Sequence, residues 1–563
     1  MKNKFQIIII ASCVFIVSMT ACSKKIDDAY LNPNASVSEP IESLLPGVIG
    51  NFLGSSSAAG SSYGLGGDAL LIGRYIQYWG TYSATSPGVS YTAANANNYD
   101  QMGGTVGSSD NLGSVWGAFY YGQGQNLNRI IQWGAAQKKW DYVGVALAIR
   151  AWGWLELANE YGDALIIKQA FNTSLQQFSY DPQSLAYDSC RAAAYSALQY
   201  LNNTGGNASP ANLAIGDAYF YNGDVNKWKE FVYGILARSF HYINNKSTYS
   251  ADSVIKYCNL SIQSNSDNAT CKFANSGLSG TDSYFGILRA NVGTIRQSQY
   301  IVNLMSGQNS TTFSGVSDPR IWYMLRENPN GTFKGIVPWS GNSGLATNDQ
   351  PQNFWGSSYT TTAAPANENA CRYLFRNTAE FPIMTASEIQ FIKAEAAYLK
   401  GDKATALTAY TTGISLNFDM LVNNYATNVP AASLITPAMK ASYLANTAVV
   451  PASASALTLS QIMLQKYIAL YGWGVQETWT DMRRYHYTDN DPATGKQVYS
   501  DFTPPSGASL FANNNGKYVY RCRPRYNSEF LYDIPSLILV GALTGAGSQV
   551  PDYHTLECWF SQK

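Results

Sequence analysis

The chain has 563 residues, and its 37 Lys and Arg balance its 37 Asp and Glu, so the formal net charge is zero. Only 13% of the residues are charged, against about 25% in typical domains, which leaves no electrostatic basis for binding nucleic acid or an acidic lipid surface. In place of charge stand 40 Tyr, 13 Trp and 22 Phe. Because Tyr and Trp join an apolar face to a hydrogen-bonding edge, this composition favours uncharged polar ligands.

The N-terminus has the three parts of an export signal. Lys2 and Lys4 precede an uncharged apolar run over 5–19, and small residues then lead into Cys22. The run is shorter than the roughly 20 residues that span a bilayer, which disfavours a transmembrane helix. The pattern predicts a lipoprotein signal over 1–21 and acylation of the Cys22 thiol. The alternative is a signal that is cut elsewhere, with Cys22 unmodified.

The rest of the chain is expected to lie outside the bilayer, because no second long apolar segment follows. Residues 22–38 are polar after the cysteine and are predicted to be a flexible tether. Residues 39–563 are predicted to form a single globular domain.

Apolar residues at helical spacing predict a mainly α fold. The first stripe consists of Val143, Leu147, Ala151, Trp154, Ala158 and Tyr161, and it ends at Gly162-Asp163. A second helix is predicted over 181–201, with Asp181 as its cap and a proline in its first turn. A third is predicted over 228–243. Short connections between such helices are typical of helix hairpins.

The same arrangement returns late in the chain. A helix over 387–400, a Gly401-Asp402 turn and a returning helix over 404–414 resemble a tetratricopeptide pair. Another helix is predicted over 460–471. The irregular segments 54–113, 265–378 and 489–527 contain too many aromatic residues to be plain linkers. The sequence therefore predicts a helical scaffold that carries long aromatic-rich loops, with minor β structure.

Six cysteines remain after the signal and Cys22 are set aside: Cys190, Cys258, Cys271, Cys371, Cys522 and Cys558. Their wide spacing lacks a C-x-x-C pair, which argues against zinc. Cys258 and Cys271 are the nearest pair and a candidate disulfide, while the alternative is that each cysteine is a small buried apolar side chain. No cofactor or metal is expected, with a structural calcium ion as the alternative.

The sequence favours a protein that is not an enzyme. Residues 60–64 match the G-x-S-x-G pattern of serine hydrolases, but they lack the strand and helix that shape the nucleophile turn. The three histidines, His241, His486 and His554, are too scattered for an H-E-x-x-H zinc site, and His241 falls in a predicted core helix. Paired carboxylates for glycoside hydrolysis stay an alternative, since their separation exists only in three dimensions.

Five segments in order resemble the SusD/RagB outer-membrane nutrient-binding lipoproteins of Bacteroidetes. They are ALAIRAWGWLELANEYGD at 146–163, a W-x-x-x-Y…N stretch at 116–128, DAYFYNGDVNKW at 217–228, SEIQFIKAEAAYLKGD at 387–402 and QKYIALYGWGVQETWTDMRR at 465–484. Together with the lipoprotein signal they span most of the mature chain.

This resemblance implies a helical fold with tetratricopeptide-like pairs. It also implies a SusC-like TonB-dependent transporter as partner, with the lipoprotein acting as a lid that captures ligand and delivers it inward. The lipid anchor would then hold the protein in the outer membrane, facing the cell exterior. The family motifs themselves are expected to be architectural: Trp152, Trp154, Tyr161 and Asp163 set helix packing and a turn, and Asp481, Arg483 and Arg484 form ion pairs or caps.

Ligand contacts are expected from the loops, where aromatic planes match the C–H faces of a sugar and polar groups match its hydroxyls. The candidates are Tyr78, Trp79, Tyr82, Tyr91, Asn98, Tyr99, Asp100, Tyr284, Arg289, Trp339, Trp355 and Tyr359. At least one of Trp79, Trp339 and Trp355 is expected to line the pocket. The leading hypothesis is a surface lipoprotein that binds a glycan or oligosaccharide. The alternatives are a peptide or other nutrient as cargo, a surface hydrolase, and a lid without ligand selectivity.

Overall fold

Helices dominate the computed structural model, which describes residues 40–53, 65–82, 99–102, 112–274, 282–360 and 362–563. Within these ranges the α-helices are α1 (Ile41–Gly50), α2 (Leu65–Tyr75), α3 (Ser114–Gly117), α4 (Gly124–Ala136), α5 (Trp140–Tyr161), α6 (Gln183–Leu201), α7 (Pro210–Asp217), α8 (Val225–His241), α9 (Ala251–Leu260), α10 (Gln299–Ser306), α11 (Ile321–Met324), α12 (Ala386–Lys400), α13 (Lys403–Asn424), α14 (Pro437–Ala445), α15 (Leu459–Ala469), α16 (Val475–Arg484) and α17 (Ile534–Leu539). The mainly α prediction is confirmed. The export signal, Cys22, the tether and the 60–64 match lie outside the described residues.

Four short strands form two small antiparallel sheets. The strands are β1 (Trp79–Thr81), β2 (Ala269–Cys271), β3 (Ile295–Gln297) and β4 (Phe381–Met384). β1 pairs with β3 and β2 with β4. Both sheets join segments that are far apart in sequence, so they tie the irregular segments to the helical scaffold.

The predicted first stripe lies on α5, which packs against α4, α6 and α8. Almost every residue of α5 is buried, as expected for a helix at the centre of an all-helical layer. The Trp152 ring lies 4.5 Å from that of Phe52, and the Trp154 ring lies 4.7 Å from that of Phe119. Their packing role is confirmed.

Tyr161 and Asp163 hold the end of α5 in place. The Tyr161 hydroxyl donates to the Leu112 carbonyl at 2.7 Å, and the Asp163 carboxylate accepts from the Gln183 amide at 3.0 Å. The Tyr161 contact joins the end of α5 to the chain before α3, and the Asp163 contact joins it to the start of α6.

The helix α6 begins at Gln183, so the prediction that Asp181 caps it is wrong. Pro182 occupies the cap position without a side-chain hydrogen bond. The Asp181 carboxylate instead accepts from the amides of Ile167 and Lys168, each at 2.9 Å. The fixed φ of proline suits the helix start by itself, which leaves the acid for the preceding loop.

The predicted helix–turn–helix late in the chain is confirmed as α12 and α13, which pack against each other. Thr385 caps α12 by accepting from the Glu388 amide at 3.2 Å. Gly401 ends it with φ +89°, a conformation that suits glycine. Asp402 then caps α13 by accepting from the Thr405 amide at 3.1 Å.

A cluster of buried charges joins α12, α15 and α16. Arg484 donates to Glu395 at 2.8 Å and to Asp481 at 2.5 Å. Lys466 lies 2.7 Å from Asp481, and His241 lies 2.7 Å from Glu395. The expected ion pairs of Asp481 and Arg484 are confirmed, and His241 is a buried, bonded core residue.

Arg483 is a different case, because its guanidinium bonds backbone rather than an acid. It donates to the carbonyl of Asn159 at 2.5 Å and to that of Tyr520 at 2.8 Å. It also lies 3.6 Å from the Trp479 ring centroid, within the range of a cation–π contact. Arg483 therefore ties α16 to α5 and to the C-terminal segment.

The candidate Cys258–Cys271 disulfide is wrong. All six cysteines of the described residues are free and buried. Cys258 lies on α9 and Cys271 on β2, each packed in the apolar core, and burial raises the pKa of the Cys258 thiol to about 12. These cysteines are small core side chains, the alternative that the sequence left open.

Candidate functional site

The end of β1 meets the loop 337–342, and Tyr82 lies at that junction. The Tyr82 amide donates to the Thr294 carbonyl at 2.9 Å, and its carbonyl accepts from the Asn342 amide at 2.8 Å. A Cβ at Gly80 would lie 2.6 Å from the Pro338 Cα, so glycine lets the strand and the loop approach. The Tyr82 side chain is partly exposed on a backbone fixed from both sides.

Trp339 and Tyr99 come together beside this junction. Their ring centroids are 5.2 Å apart in an edge-to-face arrangement, and Tyr99 stacks on Tyr75 at 5.0 Å. Arg74 donates to the Pro338 carbonyl at 3.2 Å, which holds the loop. Tyr99 is 2% exposed, whereas Trp339 is partly exposed. Trp339 therefore presents an aromatic surface on a rigid support.

Arg296 is a residue of this site that the sequence reasoning missed. Its guanidinium lies 5.3 Å from the Tyr82 ring centroid, and Nη1 donates to the Gly293 carbonyl at 2.8 Å. Burial lowers the pKa of Arg296 to about 10, so it stays charged at neutral pH. A charged residue at the centre of a buried strand was the signal that could have found it.

Asp100 is buried, and other parts of the chain occupy its carboxylate. It accepts from the Phe511 amide at 2.6 Å and from the Asn514 side-chain amide at 2.7 Å. Burial raises the pKa of Asp100 above its usual value, although these hydrogen bonds offset part of the shift. The acid joins the chain at Tyr99 to the segment 511–514, and a ligand hydroxyl would have to compete with both donors.

Tyr284 and Arg289 form a second small group. The Arg289 guanidinium lies 5.9 Å from the Tyr284 ring centroid. Tyr284 is 5% exposed and packs on Gly66 of α2, where a Cβ would lie 2.6 Å from the ring. Arg289 is partly exposed, beside the exposed Leu288. Only Arg289 of this pair offers polar surface to a ligand.

Tyr359 lies in the loop that follows Trp355 and is partly exposed. Its hydroxyl accepts from the Gln352 side-chain amide at 2.7 Å. The Asn353 amide donates to the Ser358 carbonyl at 2.8 Å, which closes the loop. Tyr359 thus has both a fixed position and an open face.

Five of the candidate aromatic side chains lie in the hydrophobic core, and three of these, Tyr78, Trp79 and Trp355, are each 0% exposed. The Trp79 indole donates to the Leu70 carbonyl at 2.9 Å and packs on Gly73. The Trp355 indole donates to the Phe285 carbonyl at 2.9 Å. Sequence could not separate these tryptophans from Trp339, because all of them belong to loop-rich segments. They have no surface for a ligand in this conformation, and they support the loops from below.

Tyr91 and Asn98 lie outside the described residues. Among the described residues no group of three or more His, Cys, Asp or Glu side chains could hold a metal ion. The same part of the chain contains no helix that is both long and apolar enough to cross a membrane. What the site offers is therefore aromatic surface and neutral or cationic hydrogen-bonding groups.

Solved structures with the same overall fold are known. A SusD/RagB family protein of Bacteroides thetaiotaomicron superposes with a TM-score of 0.67 at 19% identity, over 93% of this chain and 99% of that one. A SusD homologue of Bacteroides fragilis gives 0.64 at 17% identity, over 93% and 100%. A chitin-binding protein gives 0.61 at 16% identity, over 93% and 100%. No curated protein matches the sequence.

A family model described as SusD-like, "starch-binding associating with outer membrane", matches residues 69–505. The match covers well over half of the chain and contains all five segments that carried the resemblance. The helical scaffold and its order of helix pairs agree with it. The chain therefore belongs to the SusD-like family, which is associated with the outer membrane.

Proposed function

We propose that this protein is a surface lipoprotein that binds a neutral glycan and delivers it to a SusC-like TonB-dependent transporter. The observation that carries the proposal is the aromatic platform, defined as Tyr82 and Trp339 with their buried supports Tyr99, Arg74 and Arg296. Tyr82 and Trp339 are partly exposed, while the supports are buried. Rigid aromatic faces bordered by a few polar groups are the usual make-up of a small-molecule site.

The cargo is assigned from chemistry. A sugar ring has apolar C–H faces and a rim of hydroxyls, so it matches an aromatic ring bordered by hydrogen-bonding groups. The low charge content of the chain suits such a ligand better than an ionic one. The relative that is described as a chitin-binding protein adds a precedent for glycan binding on this fold.

Delivery and location complete the proposal. Acylation of Cys22 would anchor the chain, and several acyl chains at about 0.8 kcal/mol per buried methylene make such an anchor stable. The family's association with the outer membrane supports that membrane as the site of the anchor. The polar tether would then let the domain sit over a transporter on the outer face. A bound nutrient needs no bond broken for this role, so the proposed protein is a binder and not an enzyme.

The full-length lipoprotein, held in a detergent without a sugar head group, provides the test. We expect neutral oligosaccharides, but not short peptides, to give saturable binding in calorimetry. Trp339→Ala should weaken that binding at least about tenfold, which corresponds to about 1.4 kcal/mol, because the ring leaves the platform while its supports remain. Trp133→Ala is the matched control, since Trp133 is also a partly exposed tryptophan but lies on α4.

Binding of peptides without glycans would contradict the assigned cargo, and release of a cleaved product would contradict the binder role. Trp79→Ala and Trp355→Ala are unsuitable as site variants, because removing a buried indole costs about 3–5 kcal/mol of stability. A TonB-dependent barrel that co-purifies with the chain from outer membranes would support delivery. A chain that purifies alone under the same conditions would oppose it.

A further inference from the structure

An open cleft lies between α14 and the loop that follows α10, and it shares no residue with the aromatic platform. Its volume is about 470 Å³, inside the range of roughly 300–1,000 Å³ that small-molecule sites occupy. One wall is the face of α14 that carries Met439, Ser442 and Tyr443, continued by Asn446 beyond the helix end. The other wall is the loop segment around Val316 and Ser317.

The α14 wall of the cleft is rigid because Tyr443 is fixed at its hydroxyl. That hydroxyl donates to Asp318 at 2.9 Å and accepts from the Gln465 side-chain amide at 2.9 Å. Asp318 is itself held by Arg320 at 2.6 Å. The Tyr443 ring also packs 5.3 Å from that of Phe418. A side chain held at both its ring and its hydroxyl loses little further freedom when a ligand binds.

The loop wall is fixed by its own backbone. The Gly315 amide donates to the Gly307 carbonyl at 2.9 Å, and the Asp318 amide donates to the Met305 carbonyl at 2.7 Å. Gly307 has φ +68°, and a Cβ there would overlap the backbone of Val316. The loop therefore closes back on the end of α10, and the cleft is preformed.

The lining is neutral and of mixed polarity. None of the residues that form it is charged, and the charges below it, Asp318 and Arg320, pair with each other. Met439 and Pro319 are partly exposed and supply apolar surface, while Val316 and Tyr443 are buried. Ser317 and Ser442 stand exposed on opposite walls, and a hydroxyl both donates and accepts hydrogen bonds. A charged ligand would find no counter-charge here, and a purely apolar one would leave the polar groups without partners.

We infer that this cleft is a second ligand site, which takes one or two rings of a neutral saccharide between Ser317 and Ser442. Met439 and Pro319 face the C–H side of a ring, and the two serines and Asn446 face its hydroxyls. The site stands on its own residues, so it does not require that the aromatic platform bind the same ligand. Its affinity is expected to be low, because the cleft is open and offers few hydrogen-bonding groups.

Methyl NMR of the methionine-labelled full-length lipoprotein in the same detergent tests this site directly, because Met439 lines it. The Met439 signal is assigned by its loss in Met439→Leu, and the probes are maltotriose, chitotriose and cellotriose. We expect at least one of them to shift the Met439 signal saturably. Ala438→Trp should weaken this response at least about tenfold by filling the cleft. Ala441→Trp should leave it within about twofold, since Ala441 is exposed on the same helix but outside the lining.

The platform variant separates the two proposals. With Trp339→Ala the Met439 response should persist, whatever happens to binding at the platform. Absence of a Met439 shift with all three sugars, or a shift that Ala438→Trp leaves unchanged, would overturn the inference. A shift with trialanine but with none of the sugars would overturn the saccharide assignment and indicate a peptide site.

Discussion

Arg484 of the helical scaffold and Arg326 of the irregular segment 282–380 are both buried, but they bind different partners. In the scaffold, Arg484 pairs with Glu395 at 2.8 Å and Asp481 at 2.5 Å. In the irregular segment, Arg326 donates twice to the Phe354 carbonyl, at 2.9 and 2.6 Å, and once to the Ala370 carbonyl at 2.8 Å. Arg484 is neutralised by acids, whereas Arg326 binds backbone carbonyls. Each region also holds the other kind of arginine, since Arg483 of the scaffold binds backbone and Arg320 of the irregular segment pairs with Asp318.

The difference follows from backbone geometry. Carbonyls along the middle of a helix are already bonded within the helix, and Arg484 takes two carboxylates as its partners instead. An irregular chain leaves carbonyls without partners, and a guanidinium with five donors can join several of them. Arg326 thus joins two loop segments through their carbonyls, as a hydrogen-bond ladder joins two strands. Burial lowers the pKa of Arg326 to about 9, which still leaves it cationic at neutral pH.

The largest effect is expected from Arg484→Met in the scaffold. The variant leaves Glu395 and Asp481 buried with less compensating charge, and breaking a buried pair from one side costs about 3–5 kcal/mol. Urea denaturation should show this loss of unfolding free energy. Lys517→Met is the control, because Lys517 pairs with Asp552 at 3.1 Å but is 56% exposed, and such pairs contribute about 0–1 kcal/mol. Equal losses in the two variants would remove the argument for a buried charge network.

A smaller effect is expected from Arg326→Met in the irregular segment. The carbonyls of Phe354 and Ala370 lose their donor, but they are dipoles and not charges, and an unsatisfied buried group costs about 1–3 kcal/mol. The loss should be local, so limited proteolysis should cut within 354–370 more rapidly than in the unmodified chain. If Arg326→Met destabilised the protein more than Arg484→Met, the contrast between the two arginines would fail.

The smallest effect concerns His486, which links the end of α16 to the C-terminal segment. Its ring lies 2.6 Å from Asp489 and 3.0 Å from Glu557. Burial lowers its pKa, but the hydrogen bonds and charges of these two acids raise the pKa above its usual value. Because the pKa of His486 is raised in the folded state, its contribution to the free energy of unfolding is fully present below the unfolded-state pKa of about 6.5. That contribution is lost as the pH rises through the folded-state pKa.

The measurement is the unfolding free energy of the unmodified chain and of His486→Asn between acidic and alkaline pH. Asparagine tolerates the φ of +43° at this position. The unmodified chain should exceed the variant by about 1 kcal/mol or less at acidic pH, and the difference should vanish at alkaline pH. A difference that grows with rising pH would contradict the bridge between the two segments.

The helices with one clear apolar stripe were predictable, and those without one were not. α5, α8, α12 and α13 were all found from spacing. The helix α2 was missed within the segment 54–113, because three of its 11 residues are glycines, which lowers the helix propensity. The helix α14 was missed because only Tyr443 along it is buried, so it has no apolar stripe that the spacing could indicate.

The sequence by itself determined the helical class, the family and the neutral, aromatic character of this protein. These follow from composition and from local spacing, which each segment carries without its neighbours. Only the tertiary structure decided which aromatic residues face outward. Trp79 and Trp339 belong to similar loop-rich segments, yet one fills the space above Gly73 and the other edges onto Tyr99 at the surface. The burial of a residue depends on the residues that pack around it. Trp79 packs on Gly73 across a turn, and Trp339 packs on Tyr99 from a distant part of the chain.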